Sequence, residues 1–273
     1  MLAVGPVRYH QMARWLLTSI RRSHPGWPLA VATDRPRQLR GYADEIVPVR
    51  VPEHGPYGLK LSLNELSPFG RTLVLDVDSL MVRPMPDVWD FFDDAAVGVL
   101  GYNVSDGEWF GKDLAELCRE HATATLPRFN GGFFYFDRSD LAQSVFADAR
   151  GYLARYPELG FQAFRGARAD EPMLALALAR HGIPARHDGD RAFYRTTRAA
   201  EGPIYLDLER GECELRIAGQ SVRPSIIHFA SSEKDPVYAR EAQALMSRER
   251  DLGQRVTRAL LRRRVGREYG LRK

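Results

Sequence analysis

The sequence predicts an α/β domain: a mainly parallel central sheet with helices on both faces. Two observations carry this. Short apolar runs of strand length alternate with helical patterns from the first residues onward, and those runs are continuously apolar, as strands buried on both faces are. With 273 residues and 44% hydrophobic content, there is ample material for one core.

Leu2, Ala3 and Val4 form a first strand that stops at Gly5 and Pro6. Tyr9, Met12, Ala13, Leu16, Leu17 and Ile20 then recur at helical spacing, with Arg8, Arg14, Arg21 and Arg22 on the other face. Strands follow at Leu29 to Thr33 and Ile46 to Val51, with Pro36 and Gly41 punctuating the link. A fourth strand spans Thr72 to Val77, a short helix Val88 to Phe92, and further strands Val97 to Leu100 and Phe129 to Phe136. A long helix is predicted over Leu141 to Tyr156. Another starts at Asp170, where Asp, Glu and Pro precede an apolar run that Gly182 ends. Arg191 to Gln220 reads as a hairpin-rich insertion turning at Glu209 to Gly211, and Ser225 to Phe229 as a last strand.

Charge is unevenly placed. Residues 248–273 hold ten Lys or Arg against three Asp or Glu, +7, so the net +4 of the whole chain leaves −3 for residues 1–247. We divide the chain there, into a domain over 1–247 and a basic helical tail over 248–273. An acidic body removes the main argument for nucleic acid as a partner. Arg255, Arg258, Arg262 and Arg263 alternate with Val256, Ala259, Leu260 and Leu261, which suits peripheral contact with an anionic membrane or equally a solvated helix. No run approaches the roughly 20 apolar residues of a membrane span, and the N-terminus lacks a signal-peptide pattern. The expected location is cytoplasmic, peripheral on the inner membrane face if the tail binds there. Cys118 and Cys213 stand far apart and are read as buried thiols.

Four features could carry chemistry. In LVLDVDSLMV, residues 73–82, Asp76 and Asp78 follow a buried strand at a spacing of two, which faces both toward one hard cation. An Asp that merely caps the turn is the structural alternative. In RFNGGFFYF, residues 128–136, Asn130 offers an amide beside Gly131 and Gly132, or the glycines mark a bulge. Asp170 and Glu171 open a helix, where the dipole alone favours acids by ~0.3 to 1 kcal/mol. His228 leaves a buried strand with Lys234 six residues on, as a metal ligand or as a satisfied structural histidine. An Asp-x-Asp strand end also opens the haloacid-dehalogenase phosphotransferases, but there it follows the first strand and usually precedes Gly-Thr.

The order and spacing of these motifs over residues 2 to 236 resemble the retaining GT-A glycosyltransferases, in particular the family that includes glycogenin and lipopolysaccharide galactosyl- and glucosyltransferases. The resemblance implies a single Rossmann-like GT-A domain and transfer of a sugar from a nucleotide-diphosphate donor, a UDP-sugar, to a glycan or glycolipid acceptor, with Mn²⁺ or Mg²⁺ as cofactor. It implies Asp76, Asp78 and His228 as metal ligands, Asp76 also touching the ribose, and Lys60 and Lys234 on the donor. Asn130 and Gly132 would line the sugar site, Asp170 would bind sugar hydroxyls, and Glu171 would act on the β-face of the anomeric carbon, where the family often has Gln. Departures are Asn-Gly-Gly for Asn-Ser-Gly, Ser231 for a glycine, Lys234-Asp235-Pro236 for Lys-Pro-Trp, and Pro6 near a base-reading Asp. A sugar-nucleotide-binding protein without turnover and a nucleotidyltransferase are the other readings. The latter would normally show a glycine-rich basic loop after the first strand, where this chain has GPVRYHQ.

Overall fold

The computed structural model describes residues 1–52, 55–230 and 236–249. The N-terminal unit follows the predicted alternation: β1 (Leu2–Ala3), α1 (Val7–Ser23), β2 (Ala30–Thr33) and β3 (Glu45–Pro48), with the three strands parallel in the order β1-β2-β3. Helix α1 buries Met12, Ala13, Leu16, Leu17 and Ile20, the stripe its periodicity marks.

Two short helices, α2 (Tyr57–Lys60) and α3 (Leu63–Leu66), lead into β4 (Arg71–Leu75), β5 (Ser79–Met81), α4 (Val88–Phe91) and β6 (Val97–Val104). A small ribbon, β7 (Glu108–Trp109) and β8 (Lys112–Asp113), precedes α5 (Leu114–Glu120) and the longest strand, β9 (Leu126–Asp137). Then come α6 (Asp140–Ala154), α7 (Tyr156–Leu159), α8 (Glu171–Arg180), β10 (Tyr194–Thr196), β11 (Tyr205–Asp207), β12 (Glu212–Ile217), β13 (Gln220–Val222) and β14 (Ile226–His228). The predicted hairpins are β11-β12-β13, antiparallel, with the turn before β12 at Gly211 (φ +70°).

The expectation of a mainly parallel sheet needs correction. Among the described residues, β9 lies between β4 and β6, antiparallel to both, and β14 lies between β10 and β5, parallel to one and antiparallel to the other. The reason lies in what a continuous apolar run reports, which is burial on both faces and not strand direction. Along β9 the aromatics alternate between two cores: Phe134 and Phe136 pack on Phe146 of α6, while Tyr135 stacks on Phe92 at 5.0 Å on the other side. Each of these side chains is essentially buried, worth ~1.5 to 3 kcal/mol apiece. Residues 191–196 are corrected as well: β10 is not part of an insertion but pairs with β14 inside the sheet.

Residues 236–249 are helical, and Tyr238, Ala242 and Leu245 pack into the core beside α1 and β12. The expected boundary after residue 247 falls within this helix. The basic tail from residue 250 onward lies outside the described residues. Cys118 and Cys213 are buried free thiols, and no helix of the described residues is long and apolar enough to cross a membrane.

Candidate functional site

The Asp-x-Asp segment is a tight link between β4 and β5, which belong to two different sheets. Strand β4 stops at Leu75, the amide of Asp76 donates to the Gly132 carbonyl at 3.0 Å, and Ser79 N–H closes back on the Asp76 carbonyl at 3.1 Å. Strand β5 then pairs with β14 so that Ser79 lies opposite His228, and Phe229 N–H donates to the Asp78 carbonyl at 2.9 Å. Two strand ends far apart in sequence are thus clipped together by backbone. Their side chains converge: His228 Nε2 is 2.9 Å from Asp78 Oδ1 and 4.0 Å from Asp76 Oδ2, and one ligand atom from each of the three residues lies within 4.8 Å of the others.

Lys60, from the end of α2, is buried beneath this cluster. Its Nζ is 2.6 Å from Asp76 Oδ1 and 3.6 Å from Asp170 Oδ2, and donates to the Gly131 carbonyl at 3.3 Å. Burial pulls the ammonium's pKa down, but Asp170 and Asp76 outweigh it, and the group is held protonated well beyond the ordinary lysine range. Asp170 is itself raised by burial, against the lowering pull of Lys60. Asp78 is driven up by burial, but the His228 hydrogen bond and charge prevail and its carboxyl ends below the usual range.

Asp170 and Glu171 do more than suit a helix start. Asp170 occupies the N-cap position of α8 without a side-chain capping hydrogen bond. Glu171 Oε1 reaches across to β9, accepting from Gly131 N–H at 2.8 Å and from Asn130 Nδ2 at 3.4 Å. Burial and the neighbouring Asp170 push the Glu171 carboxyl up to about 7, against the lowering effect of the Gly131 amide. A carboxylic acid poised near neutrality at a cavity wall is a common signature of acid, base or electrostatic chemistry.

Asn130 lines the cavity, while Gly132 backs it. The Gly132 amide donates to Asn130 Oδ1 at 3.0 Å, and a Cβ placed on Gly132 would fall 2.2 Å from the Tyr194 hydroxyl and 2.9 Å from His228 Cε1. Only glycine leaves room for that packing. Tyr194 was not marked by the sequence pattern, yet its hydroxyl bridges Asn130 Oδ1, at 2.6 Å, and His228 Nδ1. No local pattern marks it: the structure places it on β10, two residues from Thr196, the register partner of His228.

These groups surround a cavity of about 150 Å³, whose wall also includes Tyr9, Tyr57, Phe164, Arg165 and Arg198. Lys60, Asp76, Asp78, Asn130, Asp170, Glu171 and His228 all meet there; Lys234 lies outside the described residues. Two carboxylates and one imidazole suit a divalent cation, and the donor atoms are close enough to share one. Because Tyr194 and Gly132 fix the ring of His228 from behind, the histidine presents Nε2 to the two aspartates.

No family model matches the chain, and no curated protein matches it by sequence. Solved structures do match. The galactosyltransferase LgtC in complex with donor and acceptor sugar analogues superposes with a TM-score of 0.57 at 14% identity, covering 90% of this chain and 93% of that one. An active-site mutant of LgtC, with glutamate in place of a glutamine, matches equally at 13% identity over 90% and 94% of the two chains. The bifunctional glycosyltransferase WbbM matches with a TM-score of 0.52 at 10% identity, over 85% of this chain and 45% of that one. The chain has the GT-A fold of these glycosyltransferases. Within that fold it resembles the family-eight type represented by LgtC, as its motif order anticipates, and at such identities the likeness is one of fold.

Proposed function

We propose that the chain is a divalent-metal-dependent glycosyltransferase that moves a sugar from a nucleotide-diphosphate donor, a UDP-sugar, to a glycan or glycolipid hydroxyl with retention of configuration. The observation that carries this reading is the convergence of Asp76, Asp78 and His228 on one cavity with Glu171 on its wall. The likeness to LgtC, whose structure was solved with donor and acceptor sugar analogues, supports it.

In this reading Asp76, Asp78 and His228 hold the cation. A divalent ion bound there supplies Lewis-acid stabilisation of the departing diphosphate. Lys60 keeps Asp76 and Asp170 compatible within one buried cluster, so that Asp170 and Asn130 can accept from and donate to sugar hydroxyls. The bond between the anomeric carbon and the diphosphate oxygen breaks with its electron pair going to that oxygen. The acceptor hydroxyl forms the new carbon–oxygen bond from the same face and passes its proton to the departing diphosphate. Glu171, fixed by Gly131 N–H, offsets the positive charge that builds on the sugar ring.

A thermal-shift screen of sugar nucleotides with and without Mn²⁺, followed by product analysis with the best donor, tests the proposal. Metal-dependent stabilisation and a product of unchanged anomeric configuration are expected. Stabilisation by no sugar nucleotide under either condition would count against it, and an inverted product would remove the role given to Glu171.

A further inference from the structure

Tyr194 takes no part in the chemistry above, yet its phenol is buried at the centre of the site, 6% exposed, between a residue of the metal cluster and a residue of the sugar wall. A phenol has one proton to give. Asn130 Oδ1, 2.6 Å away, cannot donate, and it already faces Gly132 N–H at 3.0 Å, while the amide nitrogen of Asn130 points to Glu171 Oε1. The Asn130 contact therefore uses the phenol's proton. The His228 contact is then made only if Nδ1 carries the ring proton and donates to the phenol oxygen. With that proton on Nδ1, Nε2 is free to turn its lone pair to a cation in place of the hydrogen bond it makes to Asp78 Oδ1 at 2.9 Å, and Asp76 Oδ2 lies 4.0 Å from the same atom. If the ring proton sits on Nε2 instead, it donates to Asp78, Nδ1 becomes an acceptor, and it takes the phenol's proton away from Asn130.

We infer that Tyr194 is a positioning residue whose hydroxyl couples the triad to the sugar wall: one orientation gives His228 a metal-ready Nε2 and secures Asn130 against Glu171, and the other does neither. Cation binding and the seating of Asn130 become a single event. Gly132 is part of the device, since any side chain there would displace the hydroxyl. The inference rests on the metal-dependent reading of the site.

The test is metal affinity. Mn²⁺ is titrated into the protein and the free ion followed by its solution electron paramagnetic resonance signal, for wild type, Tyr194→Phe, Asn130→Ala and the double variant. Asn130 contacts none of the three ligands through hydrogen bonds in the structure, yet Asn130→Ala is expected to weaken Mn²⁺ binding, as is Tyr194→Phe, each by roughly tenfold or more. The double variant is expected to bind no worse than the weaker single one, because both break the same relay. In parallel, ¹⁵N resonances of His228 should show the pattern of a protonated Nδ1 and a bare Nε2 when diamagnetic Mg²⁺ is added to wild type. Wild-type affinity in Asn130→Ala, additive losses, or an Nδ1 that is bare with Mg²⁺ bound overturns the inference. A lower melting temperature in Tyr194→Phe with unchanged Mn²⁺ affinity shows a purely structural hydroxyl and overturns it too. If Tyr194→Phe does not fold, Asn130→Ala and the wild-type resonances decide. Wild type that takes up no Mn²⁺ defeats the metal reading itself, which is a distinguishable result.

Discussion

Replacing Glu171 by Gln is expected to make the protein more stable and less active, and the stability gain has a definite pH dependence. In the folded chain the Glu171 carboxyl is raised from 4.5 to about 7. The unfolded chain therefore ionises it first, so stability is lost as pH rises from about 4.5 to about 7 and stays low above that. The full cost is at most about 3 kcal/mol at pH 8 and falls below about 1 kcal/mol by pH 5, at ~1.36 kcal/mol per pKa unit. Glutamine keeps the carbonyl oxygen that accepts from Gly131 N–H and never pays the ionisation cost. Thermal unfolding of wild type and Glu171→Gln in EDTA at pH 5 and pH 8 should thus show curves that nearly coincide at the lower pH and separate at the higher, the variant melting on the order of 5 °C later at pH 8. The transfer rate should fall in the variant, and the wild-type rate should rise through pH 7 as the carboxylate forms. Equal stabilities at pH 8, or a variant as active as wild type, would refute the assignment of a buried, charge-bearing Glu171.

His228→Ala should weaken Mn²⁺ binding at least tenfold by calorimetry with little change in fold, and EDTA should silence wild type reversibly. Lys60→Met leaves Asp76 and Asp170 without their shared counter-charge, and should cost about 3 kcal/mol in urea unfolding, part of which added Mn²⁺ restores. Gly132→Ala forces a methyl against the Tyr194 hydroxyl and His228, so a loss of about 1 to 3 kcal/mol in stability together with weaker Mn²⁺ binding is expected.

Much of the site was legible because its residues lie where strands end. Asp76 and Asp78 follow an apolar strand, His228 ends another, and Asp170 and Glu171 open an apolar helix; each signal is local in sequence. What binds them together is not local. The Lys60 contact to Asp170, the Glu171 contact to Gly131 and the Tyr194 bridge join positions separated by 110, 40 and 34 residues, and no periodicity encodes them. Strand direction was hidden for a related reason. Phe133 to Phe136 would read as the same apolar run in a parallel or an antiparallel β9, since both place one aromatic in each core in turn. Helix α1, in contrast, was readable because a 3.6-residue stripe of apolar side chains is a direct record of the face it buries.

The central claim is that donor chemistry here passes through a cation held by Asp76, Asp78 and His228. Asp78→Asn keeps volume and hydrogen bonding and removes the charge beside His228 Nε2, which makes it the sharpest probe. Calorimetry of a UDP-sugar with wild type in Mn²⁺ and in EDTA, paired with donor cleavage by wild type and Asp78→Asn, is the direct measurement. The account predicts binding that depends on Mn²⁺, and cleavage that falls by orders of magnitude in Asp78→Asn with only partial recovery in excess Mn²⁺. Equal donor binding in EDTA and Mn²⁺, with Asp78→Asn turning over at the wild-type rate, would contradict it.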